Sequence, residues 1–264
     1  MSLGTYNGLT NGVGNGLYNG ALPGNTNGIQ NNYDVTTRMV TNGLYIYLDP
    51  GDRRSYPGTG TGSTILDLSG NSYTGTLTNG AYFNTLGGGS IITDGINDFV
   101  SCPAASLGSA TSNYSFGGWY MCTDFANAKY IITRGRDGSG AGWSLFALVG
   151  TNGIAQASYV YTVPSTVGVG VAATIPVKLN TWFHIMGVWV NGTSMTLYIN
   201  GQFQNKGTSA GNTLRSSTSG WNLGTVAAAT FSSGISGPMY VYNRALTDAE
   251  VTQNFNAHKK RFGF

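Results

Sequence analysis

From about Val40 onward, apolar and polar residues alternate in short runs separated by turn residues. Successive side chains of a β-strand point to opposite faces, so alternation over about four to eight residues indicates half-buried strands. In residues 116–122, one face carries Trp119 and Met121, and the other carries Phe116, Tyr120 and Cys122. Similar runs occur at residues 44–48, 90–100 (bent at Asp94-Gly95), 143–149, 159–163, 167–175, 221–226 and 237–242.

The clearest pattern lies at residues 182–203, where three apolar runs are separated by Asn-Gly at 191–192 and at 200–201. Asn-Gly favours the tight turns of β-hairpins, so this stretch predicts a three-strand meander. No long helical pattern interrupts the strands, so the sheets are expected to pack on each other. One short helix is predicted after Thr247, which forms a capping box with Glu250.

Residues 1–40 differ from the rest and are predicted to be an N-terminal Gly/Asn-rich arm, with the β-sandwich over residues 41–264. Asn-Gly recurs there every four residues from Asn7 to Asn19 and again at Asn27. Such a segment buries too little area to fold alone. Two interpretations stay open: a flexible tail, or an arm that docks onto a partner through its regularly spaced apolar residues, Leu9, Val13, Leu17 and Ile29.

Composition excludes several function classes. Charged residues make up 9% of the chain and the net charge is +3, with the basic residues Lys259–Arg261 expected at a solvated helix end rather than on a nucleic acid. No apolar run approaches the roughly 18 residues of a membrane span, and the N-terminus lacks a signal-peptide pattern. Synthesis in the cytoplasm without membrane insertion is therefore expected. Cys102 and Cys122 are expected to be buried thiols, with a disulfide as the alternative.

Four blocks of sequence resemble the concanavalin A-like lectin/glucanase superfamily, and the LamG-like jelly roll in particular. They are residues 43–83 with Asp67-Leu68-Ser69-Gly70-Asn71, residues 91–103 with Asp94 to Val100, residues 180–202 with a Trp-x-His strand, and residues 235–263. The resemblance implies an all-β antiparallel jelly-roll sandwich with a short C-terminal helix. The beginning and end of the match are also similar to domains of tailed-phage structural proteins.

The superfamily includes glucanases, so glycoside hydrolase activity has to be considered for this chain. Glycoside hydrolysis normally uses two carboxylates, and that branch carries two Glu residues on one strand. This chain has a single Glu, Glu250, which the capping box explains, and Asp94 and Asp98 flank a bend. His184 occupies the family's Trp-x-His position and His258 ends the predicted helix, so neither suggests a nucleophilic triad. We therefore expect no enzymatic activity.

Two kinds of ligand site are implied by the resemblance. Relatives bind Ca²⁺ at the sandwich rim through oxygen ligands, so Asp67, Asn71, Asp94 and Asp98 are candidate calcium ligands, with turn formation as the alternative. Otherwise no cofactor is expected. Sugar binding uses aromatic platforms, for which the candidates are Trp143, Tyr159 and Tyr161, with ordinary core packing as the alternative.

Together these features predict a non-enzymatic virion protein: a capsid decoration, head-fibre or tail-associated subunit, oligomeric in the particle. It would be made in the host cytoplasm, bind other virion proteins through the arm, and present the lectin-like domain to host glycans. Two alternatives remain. One is a free carbohydrate-binding lectin outside a viral context, and the other is a mechanical cement subunit that uses the sandwich for its shape alone.

Overall fold

The computed structural model describes residues 38–57, 62–102, 112–136, 143–161, 167–209, 214, 220–226 and 230–264. The predicted docking residues of the arm lie outside this part. Within it the strands, in chain order, are β1 Leu44–Leu48, β2 Thr64–Ile65, β3 Gly75–Thr78, β4 Tyr82–Asn84, β5 Ser90–Asp94, β6 Phe99–Ser101, β7 Tyr114–Met121, β8 Lys129–Arg136, β9 Trp143–Val149, β10 Ala155–Tyr161, β11 Val167–Ala172, β12 Phe183–Val190, β13 Ser194–Ile199, β14 Gln202–Thr208, β15 Trp221–Leu223, β16 Thr225–Val226, β17 Thr230–Phe231 and β18 Ser233–Tyr242.

Two antiparallel sheets form the body of the domain. The first has the order β14-β13-β12-β7-β18-β5-β4, and β1 also pairs with β18. The second has the order β11-β10-β9-β8-β15-β6-β3-β2, and β16 pairs with β17 in a separate ribbon. The antiparallel sandwich is thus confirmed, as is the predicted meander, which forms β12, β13 and β14.

Strand β18 joins the parts of the first sheet. Along one side it pairs with β7. Along the other, its first half pairs with β5 and its second half with β1. The Gly117-Gly118 pair of β7 lies between β12 and β18. A Cβ atom on Gly117 would clash with the backbone of β12 at Ile185, and one on Gly118 would clash with the backbone of β18 at Pro238. Glycine is needed here for close strand approach.

The run at residues 90–100 is not one bent strand. Its two halves are β5 in the first sheet and β6 in the second, so residues 95–98 cross the sandwich. Gly95 has a φ of 81° and lies against the backbone of Ser233, which explains why the bend becomes a change of sheet. Sequence alternation fixes the face of each half-strand but not its sheet.

The main core lies between the sheets and follows the predicted alternation. Phe116, Tyr120 and Cys122 belong to it, whereas Trp119 and Met121 do not. From the second sheet, Leu145, Ala147 and Val149 reach the same interior. Cys102 and Cys122 are both buried free thiols, as expected.

The outer face of the first sheet is covered by the C-terminal segment. Residues of β12, β13 and β18 that alternate with the main core form a second buried cluster with Leu246 and Val251. Helix α1, Asp248–His258, begins at Thr247 with the predicted capping box, and the 3-10 helix Lys259–Phe262 follows. Within the described part, no helix is long and apolar enough to cross a membrane.

Residues just before β1 also pack on this segment. The amide of Val40 donates to Oδ1 of Asn254 at 2.9 Å, and Gln253 donates to the carbonyl of Arg38 at 2.8 Å. Val40 itself is buried in the second cluster. The folded part therefore includes residues 38–40, a little before the predicted start of the sandwich.

Trp119 connects the first sheet to the C-terminal segment. Its ring centroid lies 4.3 Å from that of Phe262 and 5.5 Å from that of Phe255, with both pairs stacked. We expect Trp119→Ala to lower the free energy of unfolding by about 3–5 kcal/mol, because the ring is fully buried and its removal leaves a cavity. Urea unfolding monitored by circular dichroism would measure the change.

Phe203→Ala is the matched control, because that ring is 55% exposed on β14. We expect it to change the free energy of unfolding by less than about 0.5 kcal/mol. Equal effects of the two substitutions would contradict the described packing of the C-terminal segment.

Candidate ligand-binding cleft

A cleft of about 430 Å³ opens at the end of the first sheet where β12 begins and β13 turns into β14. Its walls come from the segment after β11, the start of β12, the β13–β14 hairpin and the aromatic C-terminal residue. The lining residues are Ile175, Pro176, Val177, Lys178, Thr181, Trp182, Phe183, Ile199, Asn200, Gln202, Gln204 and Phe264.

The Asn200-Gly201 turn holds the hairpin wall of the cleft in place. Both residues have positive φ, 51° and 73°, as a two-residue hairpin turn requires. Oδ1 of Asn200 accepts the amide of His184 at 2.9 Å, and the hydroxyl of Thr252 donates to the carbonyl of Gly201 at 3.0 Å. The turn is thus tied to both β12 and α1.

The apolar wall rests on the aromatic stack under the C-terminal segment. The Trp182 ring lies 4.6 Å from the Phe262 ring, which in turn stacks on Trp119. Phe264 packs edge-on against Trp119 and Phe255 and remains about half exposed. Phe264 and the partly buried Trp182 thus supply aromatic surface that is suited to packing against an apolar ligand face.

The polar lining consists of amides, a hydroxyl and one cation. Asn200, Gln202 and Gln204 supply the amides, Thr181 the hydroxyl and Lys178 the cation. No Asp or Glu side chain is among the described residues that line the cleft. Aromatic surface beside amide groups is the combination that saccharides require, because a sugar presents an apolar face and a rim of hydroxyls.

The predicted sugar-binding residues lie on other strands. Trp143 is on β9 opposite Arg136, and Tyr159 and Tyr161 are on β10, with Tyr159 opposite Leu145. Their side chains are outside the described part, so these assignments remain predictions. Sequence reasoning missed the cleft, although Gln202 and Gln204 alternate with Phe203 just after a clear hairpin signal.

Two of the four predicted calcium ligands form a turn that is tied to β1. Asp67 accepts the amides of Tyr47, Ser69 and Tyr73 at 2.8–3.0 Å, and also the hydroxyl of Ser69. The amide group of Asn71 donates to backbone carbonyls of β1. A carboxylate surrounded by four donors has its lone pairs filled, so this geometry favours the turn-forming alternative.

The other two predicted ligands shape the crossing between the sheets. Oδ1 of Asp94 accepts the amide of Ile96 at 2.7 Å, and Oδ2 of Asp98 accepts the amide of Asp94 at 3.2 Å. Asp98 is only 3% exposed, and its Oδ1 has no hydrogen-bond partner. Burial, together with the charge of Asp94, raises the pKa of Asp98. Among the described residues, no three His, Cys, Asp or Glu side chains are grouped to hold a metal.

Carboxylates elsewhere in the described part are committed to the fold. Glu250 accepts two hydrogen bonds from the guanidinium of Arg244, which lowers the pKa of Glu250 to about 2. Asp49 pairs with Arg261 at 2.6 Å. The sequence suggested that Arg261 lies at a solvated helix end, but its guanidinium is paired with Asp49. A glycosidase needs one carboxyl group free to give a proton, and neither of these is free.

One cluster resembles a nucleophile site and was missed by sequence reasoning. Nζ of Lys129 lies 2.6 Å from Oδ1 of Asp124 and 2.8 Å from Oγ of Ser233, whose hydroxyl donates to Oδ2 of Asp124. Activation of a serine by lysine requires a neutral amine that accepts the hydroxyl proton. Here Lys129 is paired with Asp124, and the same carboxylate accepts the hydrogen bond from the serine hydroxyl, so the cluster is structural.

One of the two histidines, His184, lies beneath α1, and the other, His258, is the last residue of that helix. Nε2 of His184 hydrogen-bonds to the hydroxyl of Tyr240, and burial lowers the pKa of His184 to about 3. Nε2 of His258 is 3.2 Å from the hydroxyl of Tyr47, and burial lowers its pKa despite the nearby Asp49. Both imidazoles are therefore neutral near pH 7.

A family model described as concanavalin A-like lectin/glucanases, of the laminin G type, matches residues 94–252, more than half of the chain. The chain belongs to the concanavalin A-like lectin/glucanase superfamily. This membership confirms the superfamily part of the resemblance. No curated protein sequence matches the chain.

Several solved structures share this lectin/glucanase fold at low sequence identity. The binding domain of Paraclostridial Mosquitocidal Protein 1 superposes with a TM-score of 0.62 at 16% identity, over 82% of this chain and 52% of that one. The binding domain of botulinum neurotoxin serotype G gives 0.61 at 15%, over 80% and 50%. Trypanosoma rangeli sialidase gives 0.61 at 17%, over 86% and 35%. The chain thus spans about half or less of each, and the likeness is one of fold.

Asp98→Asn tests whether the buried negative charge of Asp98 destabilises the fold. The pKa of Asp98 is raised in the folded state, so the fold favours the protonated form, and stability falls as the pH rises through that pKa. Asparagine carries no charge and can still accept the Asp94 amide. We expect Asp98→Asn to raise the melting temperature at pH 7, with the gain shrinking below about pH 3.9, the pKa of an unperturbed aspartate.

The measurement is thermal unfolding at both pH values in EDTA and in calcium. A lower melting temperature for Asp98→Asn in EDTA at pH 7 would contradict the expectation that the buried charge of Asp98 destabilises the fold. A calcium-dependent gain in the unsubstituted protein that Asp98→Asn abolishes would identify Asp98 as a calcium ligand instead.

Proposed function

We propose that this protein is a non-catalytic glycan-binding protein displayed on a virus particle, and that the cleft between β12 and β14 is its binding site. The observation that carries the proposal is the lining of that cleft. Trp182, Asn200 and Gln202 line it together, so aromatic surface and amide groups border the same space. A lectin-like fold with such a cleft is suited to holding a saccharide by stacking and hydrogen bonds.

The absence of catalysis is part of the proposal and is supported by the placement of the acids. The described Asp and Glu side chains accept hydrogen bonds within the fold, and none of them lines the cleft. A sugar bound there would meet amides and an ammonium group, which can hold it but cannot supply the acid and base of glycoside hydrolysis. We expect binding to persist in EDTA, since amide groups need no metal to bind a sugar.

The virion setting is supported by sequence features. The likeness to tailed-phage structural proteins covers both ends of the domain, and residues 1–40 carry a regular apolar spacing that a plain linker does not need. Attachment through this segment to capsid or tail proteins would leave the sandwich facing outward. Two of the similar structures are named as binding domains of toxins, which agrees with a role in surface recognition.

Trp182→Ala is the direct test of the cleft. We expect it to weaken glycan binding at least tenfold, because an aromatic platform supplies stacking area that alanine lacks, and about 1.4 kcal/mol of lost contact corresponds to that factor. Binding is measured on a glycan array, and hits are followed by titration calorimetry. Phe203→Ala, which removes an aromatic ring outside the cleft, is the matched control.

Melting temperatures of both variants check that they are folded, since Trp182 also contacts Phe262. Gln202→Ala, at an exposed position in the same cleft, provides a second variant that leaves the aromatic stack intact. Unchanged glycan affinity in both cleft variants would exclude the cleft as the binding site.

Deletion of residues 1–37 tests the attachment to the particle. The deletion stops there because Arg38 and Val40 bond to α1. We expect the shortened protein to fold with an unchanged melting temperature and to be missing from assembled particles, as measured by immunoblot of purified virions. Normal incorporation would contradict attachment through this segment, and glycan binding without any particle association would favour a free lectin.

A further inference from the structure

His184 lies in the interface between the first sheet and the C-terminal segment. It belongs to β12 and is fully buried, with its ring centroid 5.4 Å from that of Trp119 on β7 and 5.9 Å from that of Phe255 on α1. Nε2 hydrogen-bonds to the hydroxyl of Tyr240 on β18, while Nδ1 has no hydrogen-bond partner among the described residues. The imidazole is therefore enclosed by the sheet and the helix, away from water.

A positive charge on His184 would be poorly accommodated in this interface. An imidazolium has two N–H donors, and the one at Nδ1 would meet no described acceptor. The titratable groups next to the ring are the Tyr240 phenol from β18 and the His258 imidazole from α1. Trp119 of β7 and Asn200 in the turn after β13 also contact His184, and neither carries a charge. Burial, with His258 as the smaller cause, therefore lowers the pKa of His184 to about 3.

The charged groups of this region surround the other histidine. Nε2 of His258 is 4.0 Å from Oδ2 of Asp49, and the ring of His258 also lies beside Tyr47. Asp49 in turn pairs with Arg261. Among the described residues, no carboxylate is in ion-pair contact with His184. Asp49 can thus stabilise a charge on His258, whereas a charge on His184 has no such partner.

The C-terminal segment from residue 247 to residue 264 can leave the sheet without separating any described strands. Strand β18 ends before it, and the segment consists of α1 and the 3-10 helix. Its ties to the sheet are made by side chains, as where Thr252 donates to the carbonyl of Gly201. Arg261 likewise pairs with Asp49. Terminal elements held in this way open locally at a lower free-energy cost than core strands.

From this arrangement we infer that acidification releases the C-terminal segment from the first sheet, and that His184 is the group whose protonation drives the release. Once the segment has left, the imidazole meets water and keeps its proton. Phe264 lines the cleft and Phe262 packs against Trp182, so release also removes one wall of the cleft. This behaviour is a property of the fold and holds whatever the cleft binds.

The pH range of the release follows from the two surroundings of His184. Its pKa is about 3 with the segment in place, and we expect the ordinary value of 6.5 after release. The contact is therefore fully stable above about pH 6.5 and weakens as the pH falls from there towards about 3. At about pH 4.5, release is expected to be on the order of a hundredfold more favourable than at pH 7. The pKa of Glu250 is about 2, so this carboxylate stays ionised over the same range and does not cause the change.

Hydrogen exchange of the full chain, followed by nuclear magnetic resonance at pH 7 and at about pH 4.5, measures the release. Each rate is divided by that of an unfolded peptide at the same pH, because exchange itself depends on pH. We expect the protection of the Val251 amide, which donates to the carbonyl of Thr247, to fall on the order of a hundredfold at the lower pH. Unchanged protection would overturn the inference.

The amides of β13 separate local release from unfolding of the whole domain. Amides of α1 are expected to be less protected than those of β13 at both pH values, because local release leaves the strands paired. Equal protection of α1 and β13 would mean that the segment leaves only when the domain unfolds, and would overturn the inference.

His184→Gln removes the titrating group and keeps an amide that can bond to Tyr240. We expect the protection of α1 in this variant to be nearly the same at both pH values. His258→Gln is the matched control and is expected to retain most of the fall, because Asp49 stabilises a charge at that position. A fall that survives His184→Gln, or one that His258→Gln alone removes, would overturn the role of His184.

Titration of the His184 imidazole in the unsubstituted protein needs no variant. While the segment is in place, its resonance is expected to keep the position of a neutral ring at about pH 4.5. A titration with its midpoint near 6.5, with α1 still protected, would show that the interface accepts the charged ring and would overturn the inference.

Discussion

The packing of the C-terminal segment on the outer face of the first sheet is the constraint on which both the fold and the cleft depend. Without it, that face would expose a continuous apolar surface to water, since its residues form a second buried cluster. Trp119 from β7 stacks on Phe262, and Arg261 pairs with Asp49 beside β1. Phe262 of this stack also packs against Trp182. Burial of the sheet therefore also creates the wall on which a sugar would pack.

Charges in this protein are few, and the described ones are mostly used within the fold. Glu250 pairs with Arg244, Asp124 with the buried Lys129, and the imidazole of His184 is kept neutral by burial. Because the described Asp and Glu side chains are engaged within the fold, this glucanase-like domain offers no pair of free carboxyl groups to a ligand there.

Much of the fold could be predicted from alternation and turn chemistry, because these are local. The meander around Asn200-Gly201, the faces of residues 116–122 and the capping box at Thr247 were all predicted correctly. The change of sheet at residues 95–98 was not predicted, because the alternation within a short strand does not specify which strand it pairs with. The cleft was missed for a similar reason. It joins Lys178, Gln202 and Phe264, which are distant in sequence and meet only through tertiary packing.

The central claim is that a saccharide binds in the cleft between β12 and β14. The most direct measurement is nuclear magnetic resonance of the isotope-labelled protein during titration with a glycan identified on the array. The account predicts that the indole N–H of Trp182 and the side-chain amides of Asn200 and Gln202 shift first and saturate together. Shifts confined to β9 and β10, or to the turns at Asp67 and Asp98, with the cleft signals unchanged, would contradict it.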